Sequence, residues 1–470
     1  MTKLLIASLL PLLSLTHVTA QNRIGTGKVA EIYEVNCASC HGRLLDGGQG
    51  SSLIDGQWTI EPTEAAIADA IRSGNETLGM PAFEGTLSDE DIRSLVILIH
   101  EKELLAQREA KPDPEFDKLV QTELYDLEIQ EVTSMTGTLW SLDFLPNGDI
   151  ITTQKNGNLW IHSSDTLIGP ILGTPTVKDN GQGGLLDVAI HPDYESNKWI
   201  YLSYVEGIND EDGMTAIVRG KVENGEWVDQ ESIYFAEKSF YTNRRHHFGT
   251  RIVFKDEYLF FGIGDRGQQD QAQDISRPNG KIHRLYADGR IPENNPFAKN
   301  KEAIPSIWAY GNRNPQGLVL HPETGNLWEA EHGPRGGDEI NLIEAGNNYG
   351  WPVITYGMNY NGSPITDIVE KPDMEQPKHY WTPSIAVSGI SFYSGNTFSK
   401  WKHNLFVGGL SAGELHRLEI HDNEITSDEI LFRTRDRIRD VVEGPDGLLY
   451  IIINSRSRTD STIYKLRPVE

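Results

Sequence analysis

The hydrophobic positions of the first hundred residues follow a helical period. From Ser88 onward, the segment SDEDIRSLVILIHEKELL combines a favourable N-cap with acidic residues in the first turn and an apolar stripe on one face. That stripe consists of Ile92, Leu95, Val96 and Ile99. The pattern predicts a small all-α domain over residues 21–106.

Beyond Tyr125 the apolar positions change to short strands, and a turn followed by an aliphatic or aromatic strand recurs. The six copies are PNGDIITTQ near 146, NKWIYLSY near 197, DEYLFFGIGD near 256, GNLWEAEHG near 325, HNLFVGGL near 403 and DGLLYIIINS near 446. Spacings of about 45 to 80 residues are typical of four-stranded blades with variable loops. We therefore predict an all-β six-bladed propeller over residues 118–470. The alternatives are a β-sandwich or a chance set of hairpins, although about 345 residues of strands exceed a single sandwich.

Two further segments lie outside these domains. Residues 107–117 carry charges, two prolines and no periodicity, which predicts a short, stiff linker. Residues 1–20 have one Lys, an apolar run over 4–15 and a small-residue end at Ala20, which predicts a secretory signal peptide. A membrane anchor is the alternative, but the run is shorter than the roughly 20 residues that a span needs. We expect a periplasmic or secreted protein without a membrane span.

The composition is strongly acidic, because 68 Asp and Glu residues face 42 Lys and Arg, a net charge of −26. Such a field repels nucleic acid and anionic membrane surfaces, and it suits a neutral substrate or a basic redox partner. Solubility alone is the alternative explanation for this charge.

The motif NCASCHG at residues 36–42 contains both cysteines of the chain, Cys37 and Cys40, followed directly by His41. This spacing attaches a c-type haem through two thioether bonds and supplies a proximal imidazole to the iron. We expect Met80, in the stretch GMPAF, to be the sixth iron ligand. His100 is the alternative ligand, but it lies within the apolar-faced helix, where packing is the simpler role.

Several segments of the β-region carry more polar chemistry than a turn requires. His247 in RRHHFGTRIVF and Asp265 in IGDRG could form a general base whose tautomer a carboxylate fixes, although a single loop His is usually only solvated. Arg313 and Asn314 lie beside a Pro-containing turn, and the pair Arg437 and Arg439 has strand spacing. The arginines predict an anion site, with salt bridges to the neighbouring aspartates as the alternative. Those aspartates are Asp436 and Asp440.

The segment EHGPRGGDEINLIEAGNNYGW, residues 331–351, contains the pair Gly333 and Pro334. Their carbonyl oxygens suit a hard cation such as calcium, although Gly-Pro often marks only a turn. Glu339 and the backbone near Tyr349 could serve a second, structural ion.

Taken together, these motifs resemble the soluble quinoprotein sugar dehydrogenases, the glucose and sorbosone dehydrogenase family. The matching stretches, in the order of the family, include KDNGQGGLLDVAIHPDY from 178, HFGTRIVF from 247, YGNRNPQGL from 310, EHGPRGGDEINL from 331 and RIRDVVEGPDG from 437. The resemblance extends over residues 134–468. It implies a six-bladed propeller that holds pyrroloquinoline quinone (PQQ) and calcium.

The resemblance also implies a role for each candidate residue. His247 would take the proton of the anomeric hydroxyl, and Asp265 would orient it. The implied quinone-binding set is Gln182, Arg313, Asn314, Arg437 and Arg439. The implied calcium ligands are the carbonyl groups of Gly333 and Pro334, and the implied structural calcium site contains Glu339 and Tyr349. The chain departs from the best-known glucose dehydrogenases at His246, where they have Asp, and at Ser411, where they have Lys.

The two domains together predict a dehydrogenase that oxidises aldose sugars to lactones with PQQ and calcium. Haem c would accept the electrons singly and pass them to an external one-electron acceptor, such as a cytochrome, a cupredoxin or the quinone pool. The alternatives are a calcium-dependent lactonase and a propeller that only binds sugar or protein. Convergent arginines favour the dehydrogenase, because hydrolysis needs no such set of cations.

Overall fold

The computed structural model describes residues 27–110, 115–163, 166–209 and 211–469. The predicted signal peptide, residues 1–20, lies outside the described residues. The description therefore concerns the predicted α domain from residue 27 onward and the predicted propeller.

The first domain is helical, as predicted. Within the described residues it contains α1 (Lys28–Asn36), α2 (Ala38–His41), α3 (Glu64–Ser73), a 3-10 turn over Glu76–Leu78 and α4 (Asp89–Ala110). Ser88 caps α4, because its hydroxyl accepts a hydrogen bond from the backbone N–H of Asp91 at 3.2 Å. The predicted apolar stripe of α4 is buried in one core with residues of α1 and α3.

Helix α4 is longer than the sequence analysis indicated, because it continues through Gln107–Ala110 into the predicted linker 107–117. The residues of this last turn are strong helix formers, so helix propensity outweighs the polar composition. After the undescribed residues 111–114, the chain pairs with the propeller at once: the N–H of Phe116 donates to the carbonyl of Arg433 at 2.7 Å. Little of the predicted linker therefore remains between helix and propeller.

The propeller begins with β1 (Leu119–Gln121) and β2 (Asp126–Thr136), which pair with its last blade. Blade one is β3 (Leu139–Phe144), β4 (Ile150–Gln154), β5 (Leu159–His162) and β6 (Leu167–Ile168). Blade two is β7 (Leu185–Ile190), β8 (Ile200–Gly207), β9 (Gly213–Glu223) and β10 (Glu226–Phe235), with α5 (Tyr194–Asn197) between its first two strands. Blade three is β11 (Ile252–Lys255), β12 (Tyr258–Ile263), β13 (Lys281–Tyr286) and β14 (Ile307–Tyr310).

The second half of the ring repeats this order. Blade four is β15 (Pro315–Leu320), β16 (Leu327–Glu331), β17 (Asp338–Ile343) and β18 (His379–Trp381). Blade five is β19 (Val387–Phe392), β20 (Leu405–Gly409), β21 (Glu414–His421) and β22 (Glu424–Arg433). Blade six is β23 (Arg437–Glu443), β24 (Leu449–Asn454) and β25 (Asp460–Pro468), followed in the sheet by β2 and β1. Further 3-10 turns span Lys238–Phe240, Gln269–Ala272 and Ser399–Trp401.

The described residues therefore form six antiparallel sheets, and the predicted six-bladed propeller is confirmed. Each of the six turn-and-strand copies corresponds to the second strand of a blade, from β4 to β24. The ring closes through β2 and β25, which align Ile129 with Leu466. Such closure leaves the N-terminal strand held by the C-terminal one.

The first strands of the blades line the central axis, and a buried charge network joins three of them. Arg251, just before β11, lies 3.0 Å from Asp187 of β7 and 2.9 Å from Asp440 of β23. All three side chains are less than a tenth exposed. Because a buried charge is costly unless it is paired, this network favours one arrangement of blades two, three and six.

Candidate active site

Most of the predicted site residues belong to segments at one end of the propeller. In an antiparallel blade, the segment that enters the first strand and the connection between the second and third strands open at the same end. We call this end the upper face. The predicted residues that enter or begin a first strand are Gln182, His247, Arg313, Asn314, Arg437 and Arg439, and those in second-to-third connections are Asp265, Gly333 and Pro334. Topology thus places together residues that lie far apart in the chain.

His247 and Asp265 are in direct contact. Nδ1 of His247 lies 2.6 Å from Oδ1 of Asp265, and the carboxylate is fully buried. An Nδ1–H donated to this acceptor leaves Nε2 as the unprotonated ring nitrogen. The backbone of His247 has φ of 57°, a left-handed conformation that is uncommon for a side chain of this size. The local chain thus holds the imidazole in an unusual position beside the axis.

Asp265 is fixed on every side. Its other oxygen accepts a hydrogen bond from the indole N–H of Trp351 at 2.8 Å, and Oδ1 also accepts from the N–H of Gly267 at 2.6 Å. The backbone N–H of Asp265 donates to the carbonyl of Arg313 at 2.7 Å. Trp351 was not among the predicted residues, because nothing in its local sequence shows that the connection between β17 and β18 reaches the upper face.

Gln182 and Asn314 support the loop that carries His247. The side-chain oxygen of Gln182 accepts a hydrogen bond from the backbone N–H of His247 at 2.8 Å. The side-chain oxygen of Asn314 accepts from the N–H of Gly249 at 3.3 Å. Two of the predicted quinone-site residues therefore accept hydrogen bonds from the backbone of the loop that carries the base.

Burial and charge make His247 a neutral base. Burial, together with the charge of the neighbouring Arg313, lowers the pKa of His247 to about 4, although Asp265 opposes both effects. The pKa of Asp265 is itself lowered despite its burial, because His247 and Arg313 stabilise the carboxylate. At neutral pH the imidazole is unprotonated and ready to accept a proton.

Arg313 enters the same site from blade four. Its Nη1 donates to the carbonyl oxygens of His332 at 2.8 Å and Gly333 at 3.0 Å. Its backbone N–H donates to the buried Glu331 carboxylate. Nε of Arg313 is buried, and no atom of the described residues accepts a hydrogen bond from it. The guanidinium therefore retains one buried donor for a ligand.

Arg437 and Arg439 are not neutralised by the aspartates beside them. Asp440 pairs with Arg251, and Asp436 accepts the backbone N–H of Arg456 at 2.9 Å. Nε of Arg439 donates to Asn454 at 3.2 Å, and burial, with nearby Arg251 and Arg437 adding to it, lowers the pKa of Arg439 to about 10. Within the described residues, the structure shows no salt bridge from either arginine to Asp436 or Asp440, so the salt-bridge alternative is not supported.

In the haem motif of the first domain, a contact with a backbone carbonyl orients the side chain of the predicted iron ligand, His41. Nδ1 of His41 lies 2.8 Å from the carbonyl oxygen of Ser51, which leaves Nε2 for a metal. Cys37 and Cys40 are free thiols at either end of the first turn of α2. Met80 and Cys37 pack against the same apolar core.

The choice of sixth ligand stays a prediction. Met80 is fixed by backbone hydrogen bonds with Asn75 of 3.0 and 2.8 Å. His100 lies 3.7 Å from Glu103, and its Nε2 is buried without a hydrogen-bond partner among the described residues. Both candidates therefore belong to the same small domain.

Comparison with known proteins agrees with this arrangement. The family described as "Glucose / Sorbosone dehydrogenase" matches residues 136–464, and the family described as "Cytochrome C oxidase, cbb3-type, subunit III" matches residues 26–99. The chain belongs to the glucose/sorbosone dehydrogenase family. Its N-terminal domain is a cytochrome c domain.

Two similar proteins are sugar dehydrogenases by name. The chain is 40% identical to aldose sugar dehydrogenase YliI of Escherichia coli K12 over 327 residues, 68% of this chain and 87% of that protein. It is 27% identical to quinoprotein glucose dehydrogenase B of Acinetobacter calcoaceticus over 399 residues, 67% of this chain and 82% of that protein. The apo crystal structure of the Escherichia coli soluble aldose sugar dehydrogenase has a TM-score of 0.69 at 36% identity, with 73% of this chain and all of that chain covered.

A cation from another blade lies beside Ser411, where the resemblance had implied the loss of a lysine. The guanidinium of Arg456, from the connection between β24 and β25, donates to the carbonyl oxygens of Leu410 at 2.5 Å and Ser411 at 2.7 Å. The pKa of Arg456 is lowered first by burial and then by Arg437. A cation thus reaches position 411 from another blade, which sequence reasoning missed because no local motif surrounds Arg456.

The other departure, His246, lies beside the base. The ring centroids of His246 and His247 are 4.6 Å apart, and burial lowers the pKa of His246. Burial thus favours the neutral form of this neighbour of the base.

The predicted calcium positions are close-packed. Gly333 donates its N–H to Asp338 at 2.8 Å, and a side chain at Gly333 would lie 2.2 Å from the backbone of Gly337. Burial raises the pKa of Asp338 to about 6. The close approach of the Gly337 backbone explains why residue 333 is a glycine. The carbonyl of this glycine accepts a hydrogen bond from Arg313.

Glu339 and Tyr349 are not joined by their side chains. Tyr349 donates its hydroxyl to the carbonyl of Leu342 at 2.6 Å. Glu339 instead lies opposite Glu331 in the β16–β17 ladder, and Asn341 lies opposite Glu329. The amide of Asn341 is within 3.1 to 3.4 Å of all three carboxylates.

This cluster is deeply buried. Burial raises the pKa of Glu331 to about 7, and burial and the charge of Glu331 raise the pKa values of Glu329 and Glu339. In the described ranges no three His, Cys, Asp or Glu side chains have the arrangement of a metal site. A cation bound here would therefore need ligands other than these side chains, such as main-chain oxygens.

None of the helices in the described part of the chain combines the length and the apolar character of a membrane span. The longest of them, α4, carries acidic residues throughout its first turn.

Proposed function

We propose that this protein oxidises aldose sugars at the anomeric carbon to lactones with PQQ, and passes the electrons singly through haem c to an external acceptor. The acceptor class would be a cytochrome, a cupredoxin or the quinone pool, and the location periplasmic or secreted. The observation that carries the proposal is a neutral His247, held by Asp265, on the same face as arginines without acidic partners.

The residues present fit the quinone. PQQ carries three carboxylates, for which arginine is the natural partner because its hydrogen bonds to them are charge-assisted. Arg313 has a buried Nε without an acceptor, and Arg437 and Arg439 face the same end of the ring. When bound, the quinone would supply the two-electron acceptor, and a calcium ion at the Gly333 and Pro334 carbonyls would polarise it. Binding of that ion would require Arg313 to release the Gly333 carbonyl, which accepts its Nη1–H in the cofactor-free protein.

The protein's own residues would manage the proton. Nε2 of His247 accepts the proton of the anomeric hydroxyl, while the C1 hydride leaves with two electrons. Asp265 keeps the imidazole in the tautomer with Nε2 unprotonated and stabilises the imidazolium that forms. His41, Cys37 and Cys40 would hold a haem that takes one electron at a time, so each sugar oxidised would require two reductions of the haem.

The experiment uses the haem-loaded full chain with PQQ, calcium and a panel of aldoses, and follows haem absorbance. We expect reduction only when all three are present, and His247→Ala should abolish it while dithionite still reduces the haem. His403→Ala is the matched control, because His403 lies between β19 and β20 at the opposite end of the ring. Hydrolysis of a lactone without quinone, or sugar reduction that survives His247→Ala, would overturn the proposal.

A further inference from the structure

Helix α4 of the cytochrome domain lies across the upper face of the propeller. Polar contacts that join the two include Arg93 to the carbonyl of Tyr356 at 3.2 Å, Glu101 to Arg335 at 2.8 Å, and Arg108 to Glu414 at 3.0 Å. From Arg93 to Arg108 the helix advances about 22 Å. The contacts involve blade four and then blade five, so they oppose both sliding and rotation of the domain.

The central contact is a two-pronged ion pair. Nε of Arg335 lies 2.9 Å from Oε1 of Glu101, and Nη2 lies 2.8 Å from Oε2. Glu101 is 6% exposed and the Arg335 side chain 18% exposed. A buried, bidentate pair of this kind is screened much less by salt than a surface pair.

Arg335 belongs to the segment of the proposed active site. It directly follows Gly333 and Pro334, and its backbone exchanges hydrogen bonds of 3.1 Å in both directions with Met358. The contact therefore connects the cytochrome domain to the same connection whose Gly333 carbonyl faces Arg313.

Helix α1 is attached to the propeller as well. The N–H of Lys28 donates to the carbonyl of Asn361 at 3.0 Å, and a side chain at Gly27 would lie 2.1 Å from that oxygen. Val29 and Met358 are both fully buried in one apolar cluster. Because α1 ends at the haem motif, its attachment also restricts the position of Cys37 and His41.

We infer that the cytochrome domain is held docked on the upper face in solution, and that the Arg335–Glu101 pair is the positioning contact between the two redox domains. The docking rests on these contacts alone, whereas its use in electron transfer rests on the proposed function. A docked domain needs no diffusional search, so intramolecular reduction of the haem should be insensitive to viscosity and to moderate ionic strength.

The first experiment is small-angle scattering of the haem-loaded full chain, without quinone. We expect a radius of gyration of about 22 Å, the value for a compact chain of this length, and the same value at low and at high salt. Glu101→Arg places two cations in contact and should expand the particle, and the double variant Glu101→Arg with Arg335→Glu should restore it. Glu34→Gln is the control, because it removes an arginine-facing carboxylate within the cytochrome domain.

An expanded wild-type particle, or an unchanged one in Glu101→Arg, would overturn the docking. If Glu101→Arg does not take up haem, Arg335→Ala in the same measurement decides, because this change lies outside the cytochrome domain.

The second experiment compares two acceptors in the quinone-loaded enzyme. We expect Glu101→Arg to slow the reduction of haem by sugar about tenfold or more, since small misplacements of reacting groups are costly. Reduction of a diffusing dye by the propeller should be unchanged, and the charge-swapped double variant should recover haem reduction. If the wild type did not reduce the dye when sugar is added, the result would count against the proposed function. Equal rates of haem reduction in the wild type and in Glu101→Arg would count against the positioning role.

Discussion

Nδ1 of His247 and Oδ1 of Asp265 lie 2.6 Å apart, although the two residues are 18 positions apart in the chain. The pair spans the entry to β11 and the connection after β12 in the same blade. Blade three thus supplies both the base and the group that orients it, and the arginines of the site come from blades four and six.

Asp265→Asn should lower kcat for sugar oxidation about 100-fold or more with little change in KM. The amide can donate as well as accept, so it no longer enforces the tautomer with Nε2 unprotonated. Steady-state dye reduction by the quinone-loaded enzyme measures this. Asp274→Asn, in an exposed turn of the same connection, serves as the control. A kcat within a few-fold of wild type in Asp265→Asn would contradict the orienting role.

The pH dependence should report the low pKa of His247. Because its pKa is about 4 in the folded state, the base form persists far below the ordinary His range. NMR titration of the cofactor-free protein should show His247 protonating near pH 4. Arg313→Gln should raise this pKa without restoring the ordinary value, since burial is the larger cause.

The same shift has a consequence for stability. Between pH 6.5 and about 4 the unfolded chain binds a proton at His247 that the folded chain does not. This residue therefore makes the folded state less stable as the pH falls through that window. A His247 titration near pH 6.5 in the folded protein would contradict both statements.

The fold was predictable because its signals are local. The α4 stripe and the six turn-and-strand copies each depend on residues within a few positions of one another. The end of α4 was harder to predict, because the polar composition after Leu105 is compatible with either a linker or a helix. The helix propensity of this segment and the contact of Arg108 with Glu414 both favour the helix, and the contact is not visible in a local pattern.

The site was predictable only in part. Family motifs surround His247, and the structure brings His247 and Asp265 together. Arg456 has no such motif, and its position near Ser411 depends on the register of two different blades. The Arg335–Glu101 pair joins residues 234 positions apart, so no local pattern could indicate it.

Arg456→Gln and Arg437→Gln should each weaken PQQ binding about 10- to 100-fold, the range expected for one charge-assisted hydrogen bond. Calorimetric titration of the apoprotein with PQQ and calcium measures the affinity directly. Arg458→Gln is the matched control, because Arg458 lies in the same connection but is 71% exposed and pairs with Asp460. Equal affinities in Arg456→Gln and wild type would exclude Arg456 from the quinone site.

Asp440→Asn should reduce the free energy of unfolding of the propeller by about 1–3 kcal/mol. The change weakens the hydrogen bonds that the Asp440 carboxylate accepts from Arg251 and from the backbone N–H of Leu142, while Asp187 still balances the charge of Arg251. Equilibrium denaturation followed by tryptophan fluorescence measures the loss. Asp229→Asn, which breaks an exposed pair with Lys221, should have little effect. Similar stabilities for the two variants would show that the network does not hold the inner strands.

Calcium should stabilise the propeller through the buried carboxylates of blade four. Glu329, Glu331 and Glu339 repel one another when ionised, and a divalent cation with main-chain ligands would offset that repulsion. At about 100 times its Kd, calcium would add about 2.7 kcal/mol to the free energy of unfolding. Thermal unfolding with calcium and with chelator measures the difference. In Glu339→Gln the calcium response should shrink, while Glu344→Gln, on the more exposed loop after β17, should keep it. A wild-type midpoint that calcium and chelator leave unchanged would mean that protons, not a cation, neutralise these carboxylates.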